Sequence, residues 1–504
     1  MTITQAGIER SRLRRELRRL DTIFFLISAM VAVDTIGAIA IGGPQAFTWL
    51  LVLFVTFFIP SALASAELGA ALPEEGGAYV WVSRAFGRFT GALTSLFYWV
   101  GTPMWLGGSL TVVAIAVYES FYTPLTTAGK LAFGIVFIGG ATIGAVVPLR
   151  YGKWLPSSGA IGQIGLLIFF VVSAMVYGAQ HGFHGIALDG FAPSFTVFIA
   201  IVPILLYSFV GIELPSSAAE EMVDPRRDIP VAIARAGVGQ LLMYAIPILA
   251  VLLVLPADNL SSLHGLIDAM RTVFTVYGGS IEGDGSVTLT GAGAVLGALG
   301  AFVFIWILFA SGTAWIMGAG RAQAAACLDG AGPAVIGRVS ERTGVPVIMG
   351  LVSGAVSMIT MAAYLLATDG DGQKYFSVGL TVAVAMIVLA YLMIFPAFVA
   401  LRIKRPDLER PFRVPGGMGV AWAVSIISTA WALLASICLL WPGFGTSDPD
   451  ASLPAGFEGE RATFELLVLT PVLLMLPLCA GLYALGRSPA KHEREQVLAV
   501  AAGD

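Results

Sequence analysis

The chain has 504 residues, 57% of them hydrophobic and only 12% charged, with a net charge of −4. An ordinary soluble domain carries roughly twice that share of charge, and so much apolar surface with so little charge aggregates in water. A soluble multidomain enzyme and a disordered chain are therefore both excluded. The slight acidic excess gives no electrostatic case for a nucleic-acid partner. Three scattered cysteines, Cys327, Cys438 and Cys479, fit neither a disulfide framework nor a metal site, so no metal or other cofactor is expected.

A helix needs about 20 apolar residues to cross the hydrocarbon of a bilayer. Runs of that kind predict an all-α integral membrane protein with about twelve transmembrane helices, at 22–43, 46–71, 89–118, 129–149, 156–179, 194–219, 232–255, 292–327, 346–367, 376–401, 419–441 and 463–486. They are called spans 1 to 12 below. Before span 1 lies an Arg-rich tail, 1–21, holding Arg10, Arg12, Arg14, Arg15, Arg18 and Arg19. It is read as a topology anchor that touches anionic lipid, not as a signal peptide, because the run behind it is long enough to span and lacks a cleavage motif. With that tail inside, alternate loops and the C-tail, 487–504, bring twenty-four of the 28 basic residues to the same side. Only Lys130, Arg271, Lys374 and Arg461 fall opposite. This bias predicts a multi-pass protein of the cell membrane with both termini cytoplasmic.

Of the 32 acidic residues, two lie well inside spans: Asp34 in span 1 and Glu213 in span 6. A charge at the bilayer centre costs about 2.5–3.5 kcal/mol on insertion scales, so such residues usually face a cavity or a partner. Each ends a short stretch, Ser28–Asp34 and Tyr207–Glu213, and the two lie five spans apart. That offset suits two inverted five-helix repeats whose first helices are broken at midplane, 22–179 and 194–401, followed by two extra helices over 419–486. Pro203, Gly211 and Pro215 favour a break in span 6. Span 1 has only Gly37 and Gly42-Gly43-Pro44, towards its outer end. A broken helix frees N–H groups on one half and C=O groups on the other, and together these can hold a zwitterion.

Several segments together resemble the amino acid–polyamine–organocation superfamily, and within it the bacterial glutamate/GABA antiporter branch. They are Ile59-Pro60 with Ala66-Glu67 and Glu74-Glu75-Gly76-Gly77-Ala78-Tyr79; Gly211-Ile212-Glu213 with Glu221-Met222 and Asp224-Pro225-Arg226-Arg227; Thr313-Ala314-Trp315 with Arg321; and Pro406-Asp407-Leu408 with Pro415-Gly416-Gly417. The resemblance runs from about Leu20 to Gly486 and implies a LeuT-like fold with alternating access around a midplane site. Carried over by position, the breaks fall at Ala29, Met30, Val31 and Ala32 in span 1 and at Tyr207, Ser208, Phe209 and Gly211 in span 6. Glu213 matches a glutamate linked to proton-coupled transport, and Trp315 an aromatic that lines the substrate site. The chain departs from the branch in three ways. Asp34 stands where it has an aromatic, Ser311 where it has a further acid, and the C-tail is short.

Other motifs add little. His181, His184, His264 and His492 lie in loops or the tail and are unsuited to an intramembrane relay. Asp369-Gly370-Asp371-Gly372 lacks the acid a calcium loop needs at its twelfth position, where Leu380 stands. There is no G-x-x-x-x-G-K-[ST] phosphate loop. The expectation is a secondary transporter of an amino acid or related amine, by antiport or proton symport. The substrate carboxylate is expected near the Met30–Ala32 amides and its ammonium near the Tyr207–Phe209 carbonyls, with Asp34 adjacent, Trp315 over it, and Glu213 exchanging protons. A transporter-fold nutrient sensor or channel, and a polytopic membrane enzyme, are the competing classes.

Overall fold

The computed structural model describes residues 17–186, 188–255, 260–283 and 285–501, apart from the side chains of Leu149 and of residues 488–501. Arg10, Arg12, Arg14 and Arg15 of the expected anchor lie outside the described residues, as do the side chains of Lys491, His492 and Arg494.

Among the described residues, eleven helices are long and apolar enough to cross a membrane. Each predicted span matches one of them except span 6. The twelfth apolar helix, Phe195–Tyr207, is short because span 6 is interrupted and resumes only as Leu214–Ser217. Span 1 is interrupted as well: Arg19–Met30 stops, Val31 and Ala32 leave the helix, and the chain restarts through Val33–Thr35 into Ile36–Ala40.

Glycine lets the long helices approach closely. A Cβ on Gly107 of span 3 would lie 2.1 Å from the Ser357 carbonyl of span 9, and one on Gly108 would lie 2.8 Å from Gly379 Cα of span 10. Both belong to a widened turn, Leu106–Leu110, that follows Pro103 in Arg88–Trp105. Such turns recur at functional sites because they re-aim a side chain. Here the turn presents Ser109 to span 1.

Two features lie outside the spans. A short helix, Ala78–Phe86, follows span 2, and Gly76 (φ +106°) and Gly77 (φ +37°) turn the chain into it. A Cβ on Gly77 would come 3.0 Å from the Ser216 carbonyl carbon, so the turn lies directly on the lower half of span 6. Towards the opposite face a second helix, Gly265–Phe274, packs on Ile36–Ala40: a Cβ on Gly37 would lie 3.1 Å from Gly265 Cα.

The face that carries most of the basic residues is tied by ion pairs. Glu67 at the end of span 2 accepts from Arg402 Nε (2.8 Å), from a second Arg402 nitrogen and from the Val414 N–H (2.7 Å), with Arg410 3.2 Å away. Arg321 of span 8 grips Glu221 with two bonds (2.7 and 3.1 Å), with Glu75 3.8 Å off. Arg19 binds Asp228 (2.6 Å) and Lys153 binds Asp21 (2.9 Å), fixing the foot of span 1. The chain before it pairs alongside Met222 through Leu17.

Candidate functional site

The two breaks are built by different physics. In span 6, Gly211 takes φ +101°, a conformation that side chains rarely adopt, and Pro215 starts the next helical turn. In span 1 no glycine stands at the break. Val31 (φ −91°, ψ 93°) and Ala32 (φ −82°, ψ 89°) keep negative φ, so any residue fits them.

Span 1 opens because other spans take up its freed backbone groups, as lipid-buried backbone requires. Trp315 Nε1 donates to the Ala29 carbonyl (2.8 Å) and Gln240 Nε2 to that of Met30 (3.1 Å). Gln163 Nε2 donates to the Val31 carbonyl, and Thr35 Oγ1 to that of Ala32 (2.7 Å). The Ala32 N–H donates to Tyr244 Oη (2.9 Å), while the Val31 N–H still reaches back to the Ile27 carbonyl (3.1 Å). One step up, Ser311 Oγ donates to the Ser28 carbonyl (2.6 Å). The serine standing where the branch has an acid therefore holds span 1 to span 8.

The breaks meet. Gln240 Nε2 also donates to the Ser208 carbonyl, joining both interruptions through one amide. A Cβ on Gly211 would lie 3.2 Å from the Trp315 ring and 3.4 Å from Met30 Cγ. The rings of Trp105 and Trp315 stand 6.0 Å apart edge to face, Trp105 is 6.1 Å from Tyr207, and Trp315 is 6.1 Å from Tyr98.

The two intramembrane carboxyls flank this aromatic cluster. Asp34 Oδ2 accepts from Ser109 Oγ (2.7 Å) and Trp105 Nε1 (3.2 Å), while Oδ1 has no partner. Glu213 Oε2 accepts from Tyr391 Oη (2.9 Å), which itself accepts from the Gly211 N–H (3.2 Å). The Tyr98 hydroxyl also faces Glu213, and no other donor reaches Glu213 Oε1. Asp34 is 4% and Glu213 1% exposed, so bulk water does not serve the free oxygens.

Of the expected site residues, Ala29, Met30, Val31, Ala32, Tyr207, Ser208 and Gly211 lie at or beside the two breaks, Trp315 bonds the first and lies against the second, and Asp34 and Glu213 follow them. Phe209 lies in the break by its backbone, while its ring packs on Phe54 and Phe58 of span 2, 5.9 and 5.5 Å away. The Val31 and Ala32 amides expected to receive a carboxylate already have partners within the protein. Sequence reasoning missed Gln163, Gln240, Tyr244, Tyr98, Trp105, Ser109 and Tyr391. The two glutamines carried a signal, being amides in otherwise apolar stretches of spans 5 and 7. The aromatic residues carried none among so many others.

Towards the face opposite the ion pairs, a cavity of about 320 Å³ is lined by Glu119, Lys130, His264, Asp371, Gln373 and Tyr375. Tyr375 Oη donates to the Gly107 carbonyl, tying the cavity wall to the turn that presents Ser109.

Comparison with known proteins bears on this geometry. Residues 17–453 match the profile of a family described as "Amino acid permease". A protein of Lactococcus lactis named "Probable agmatine/putrescine antiporter" is 26% identical over 407 residues, covering 79% of this chain and 82% of its own. An uncharacterized transporter of Legionella pneumophila is 27% identical over 440 residues, covering 83% and 89%. The glutamate/gamma-aminobutyrate antiporter of Lactococcus lactis is 22% identical, covering 84% and 81%. A solved manganese transporter of Eremococcus coleocola superposes with a TM-score of 0.56 at 10% identity, over 94% of this chain and 95% of its own. At that identity the likeness is one of fold, the LeuT-like arrangement of helices.

Proposed function

The chain belongs to the amino acid permease family, whose members are transporters and not enzymes, and on that footing we propose that it moves an amino acid or related amine by secondary active, alternating-access transport around the two helix breaks. The observation that carries this is the meeting of the breaks: Gln240 bridges Met30 and Ser208, Trp315 seals Gly211, and two carboxyls with free oxygens flank the junction. A purely structural junction has no use for carboxyl oxygens left without donors at that depth. The names of the relatives point to the same chemical range, one an amine antiporter and another a glutamate antiporter.

Glu213 is the proton-exchanging group. Neutral hydroxyls surround it, so its charge can be neutralised by a proton or by a bound cation. The ion-paired basic face is cytoplasmic, following the bias of Lys and Arg, and the protein belongs in the cell membrane. In the state described, that face is closed by Arg321, Glu221 and the Leu17 pairing, and the opposite face opens into the 320 Å³ cavity. The repeats run over 22–179 and 194–401, each opening with its broken span.

Uptake of radiolabelled substrates into liposomes holding the purified protein is the test. The panel covers acidic, basic, aromatic and aliphatic amino acids with di- and polyamines, and saturable flux of at least one is expected. Absence of saturable flux across the panel overturns the transport reading. Uptake that requires substrate preloaded inside marks exchange, whereas full uptake into empty vesicles driven by a pH gradient marks proton symport.

A further inference from the structure

We propose that the foot of span 1 reads the charge of the inner leaflet: acidic phospholipid bound beside Arg18, Arg150, Tyr151 and Trp154 draws the basic N-terminal segment off Glu221–Val223 and so frees the cytoplasmic side to open. This rests on the transport reading above, with the basic face inside, and adds a regulating partner, an anionic membrane surface.

The segment that moves is a strap. The Leu17 N–H donates to the Glu221 carbonyl (3.0 Å), and the Val223 N–H donates to the Leu17 carbonyl (3.1 Å). The chain thus lies as a short parallel pair along the stretch that follows the lower half of span 6. Leu17 is buried, and with Phe25, Met317, Arg321 and Glu221 it lines a cavity of only about 10 Å³. Glu221 is also the acid that Arg321 of span 8 grips. Leu17 stands two residues before the first turn of span 1, so an opening between spans 1 and 6 on this face has to break the pair.

The surface beside the strap suits lipid headgroups. Lys153 binds Asp21 (2.9 Å) and sets the loop between spans 4 and 5 against the foot of span 1. On these two segments Arg18 and Arg150 are exposed, as are Leu20 (65%), Tyr151 (60%) and Trp154 (66%). Arg150 lies over the Tyr151 ring, 4.5 Å from its centroid. Tyr and Trp gather at membrane–water interfaces, and the planar guanidinium matches phosphate.

The basic segment has a competing partner on the protein. Glu220, Glu221, Asp224 and Asp228 stand along the stretch where the strap pairs, and Arg19 binds Asp228 (2.6 Å). Beneath a neutral leaflet those acids hold the segment; an anionic leaflet competes for it. Magnitudes decide the outcome. A backbone hydrogen bond contributes a net factor of roughly five, and an arginine near an anionic surface roughly the same. The strap has two such bonds and one exposed ion pair, whereas the sequence up to Arg19 carries six arginines against Glu9 and Glu16. A leaflet rich in acidic lipid wins that competition.

The test uses the full-length protein, wild type and with Leu17→Cys and Met222→Cys, in phosphatidylcholine vesicles with and without phosphatidylglycerol. The native cysteines are buried and do not compete. A mild oxidant is expected to join the two new cysteines readily in phosphatidylcholine, and about fivefold less with phosphatidylglycerol. For the substrate that the uptake panel identifies, phosphatidylglycerol is expected to raise the wild-type maximal rate about fivefold at unchanged apparent KM. Oxidation of the double variant is expected to stop uptake and reduction to restore it, so the reduced form controls for folding. With Arg10, Arg12, Arg14, Arg15, Arg18 and Arg150 each replaced by Gln, both lipid effects are expected to vanish. A disulfide that forms in neither vesicle or equally in both overturns the proposal. So does a wild-type rate indifferent to lipid, a lipid effect that survives the Gln replacements, or an oxidised variant that transports at the reduced rate. In each of these cases the transport reading stands. Absence of saturable flux in every vesicle overturns that reading, and the proposal with it.

Discussion

Two sets of buried carboxyls in this protein are treated in opposite ways. On the basic face, Glu67 is saturated by Arg402, Arg410 and a backbone N–H, and Glu221 by Arg321. At the midplane, Asp34 and Glu213 are held on one oxygen each by neutral donors and keep the other free. Burial alone does not separate them, since all four are 4% exposed or less. The first set has fixed partners and serves the architecture. The second keeps hydrogen-bonding capacity unused, and the transport proposal draws on that capacity. Many of the residues that carry the family resemblance, Glu67, Glu74 to Gly77, Glu221 and Arg321, build the ion-paired basic face and not the aromatic cluster between the breaks.

This contrast can be broken most forcefully at Glu67. Replacing Arg402 with Met removes two charge-assisted hydrogen bonds from buried Glu67 and leaves it Arg410 and one backbone N–H, a loss of about 3 kcal/mol or more. The expected outcome is a marked drop in melting temperature in detergent together with lost uptake; a variant as stable as wild type would remove the architectural half of the comparison. Gly211→Ala comes next. It forces a side chain into φ +101° and against Trp315, at a cost of about 1–3 kcal/mol, and transport should slow roughly tenfold in initial-rate uptake. Trp315→Phe removes the bond to the Ala29 carbonyl, worth about 1 kcal/mol, and should raise the apparent KM roughly fivefold with little change in melting temperature. The smallest stability effects belong to the midplane acids. Asp34→Asn and Glu213→Gln should leave the melting temperature unchanged or raised, because a costly group without a counter-ion is neutralised. In Glu213→Gln the pH profile of uptake should flatten. A fall in stability as large as that of Arg402→Met would mean that these acids are structural after all.

The helices themselves were legible in the sequence, because hydropathy over about twenty residues reports directly on the bilayer. Gly291–Ala326 and Val347–Ala367, for instance, match the predicted 292–327 and 346–367 within a residue or so. The span 6 break was legible too, since Gly211 and Pro215 act locally. The span 1 break was only half legible. Val31 and Ala32 have no intrinsic tendency to leave a helix, and their backbone is opened by Gln163, Gln240, Tyr244 and Trp315, contributed by spans 5, 7 and 8. That is a tertiary cause, invisible to any local pattern.

The central claim is that the junction of the two breaks carries a substrate by alternating access. Counterflow tests it most directly. Liposomes holding wild-type protein are loaded with the unlabelled substrate that the uptake panel identifies and diluted into a trace of the same substrate carrying label, with no pH gradient or membrane potential. The account predicts a transient accumulation of label inside, well above the external concentration, followed by decay, and the loss of that overshoot in an Asp34→Asn, Glu213→Gln double variant that remains folded. Label that rises only to the external concentration, as through an open pore, or that overshoots equally in the double variant, would contradict it.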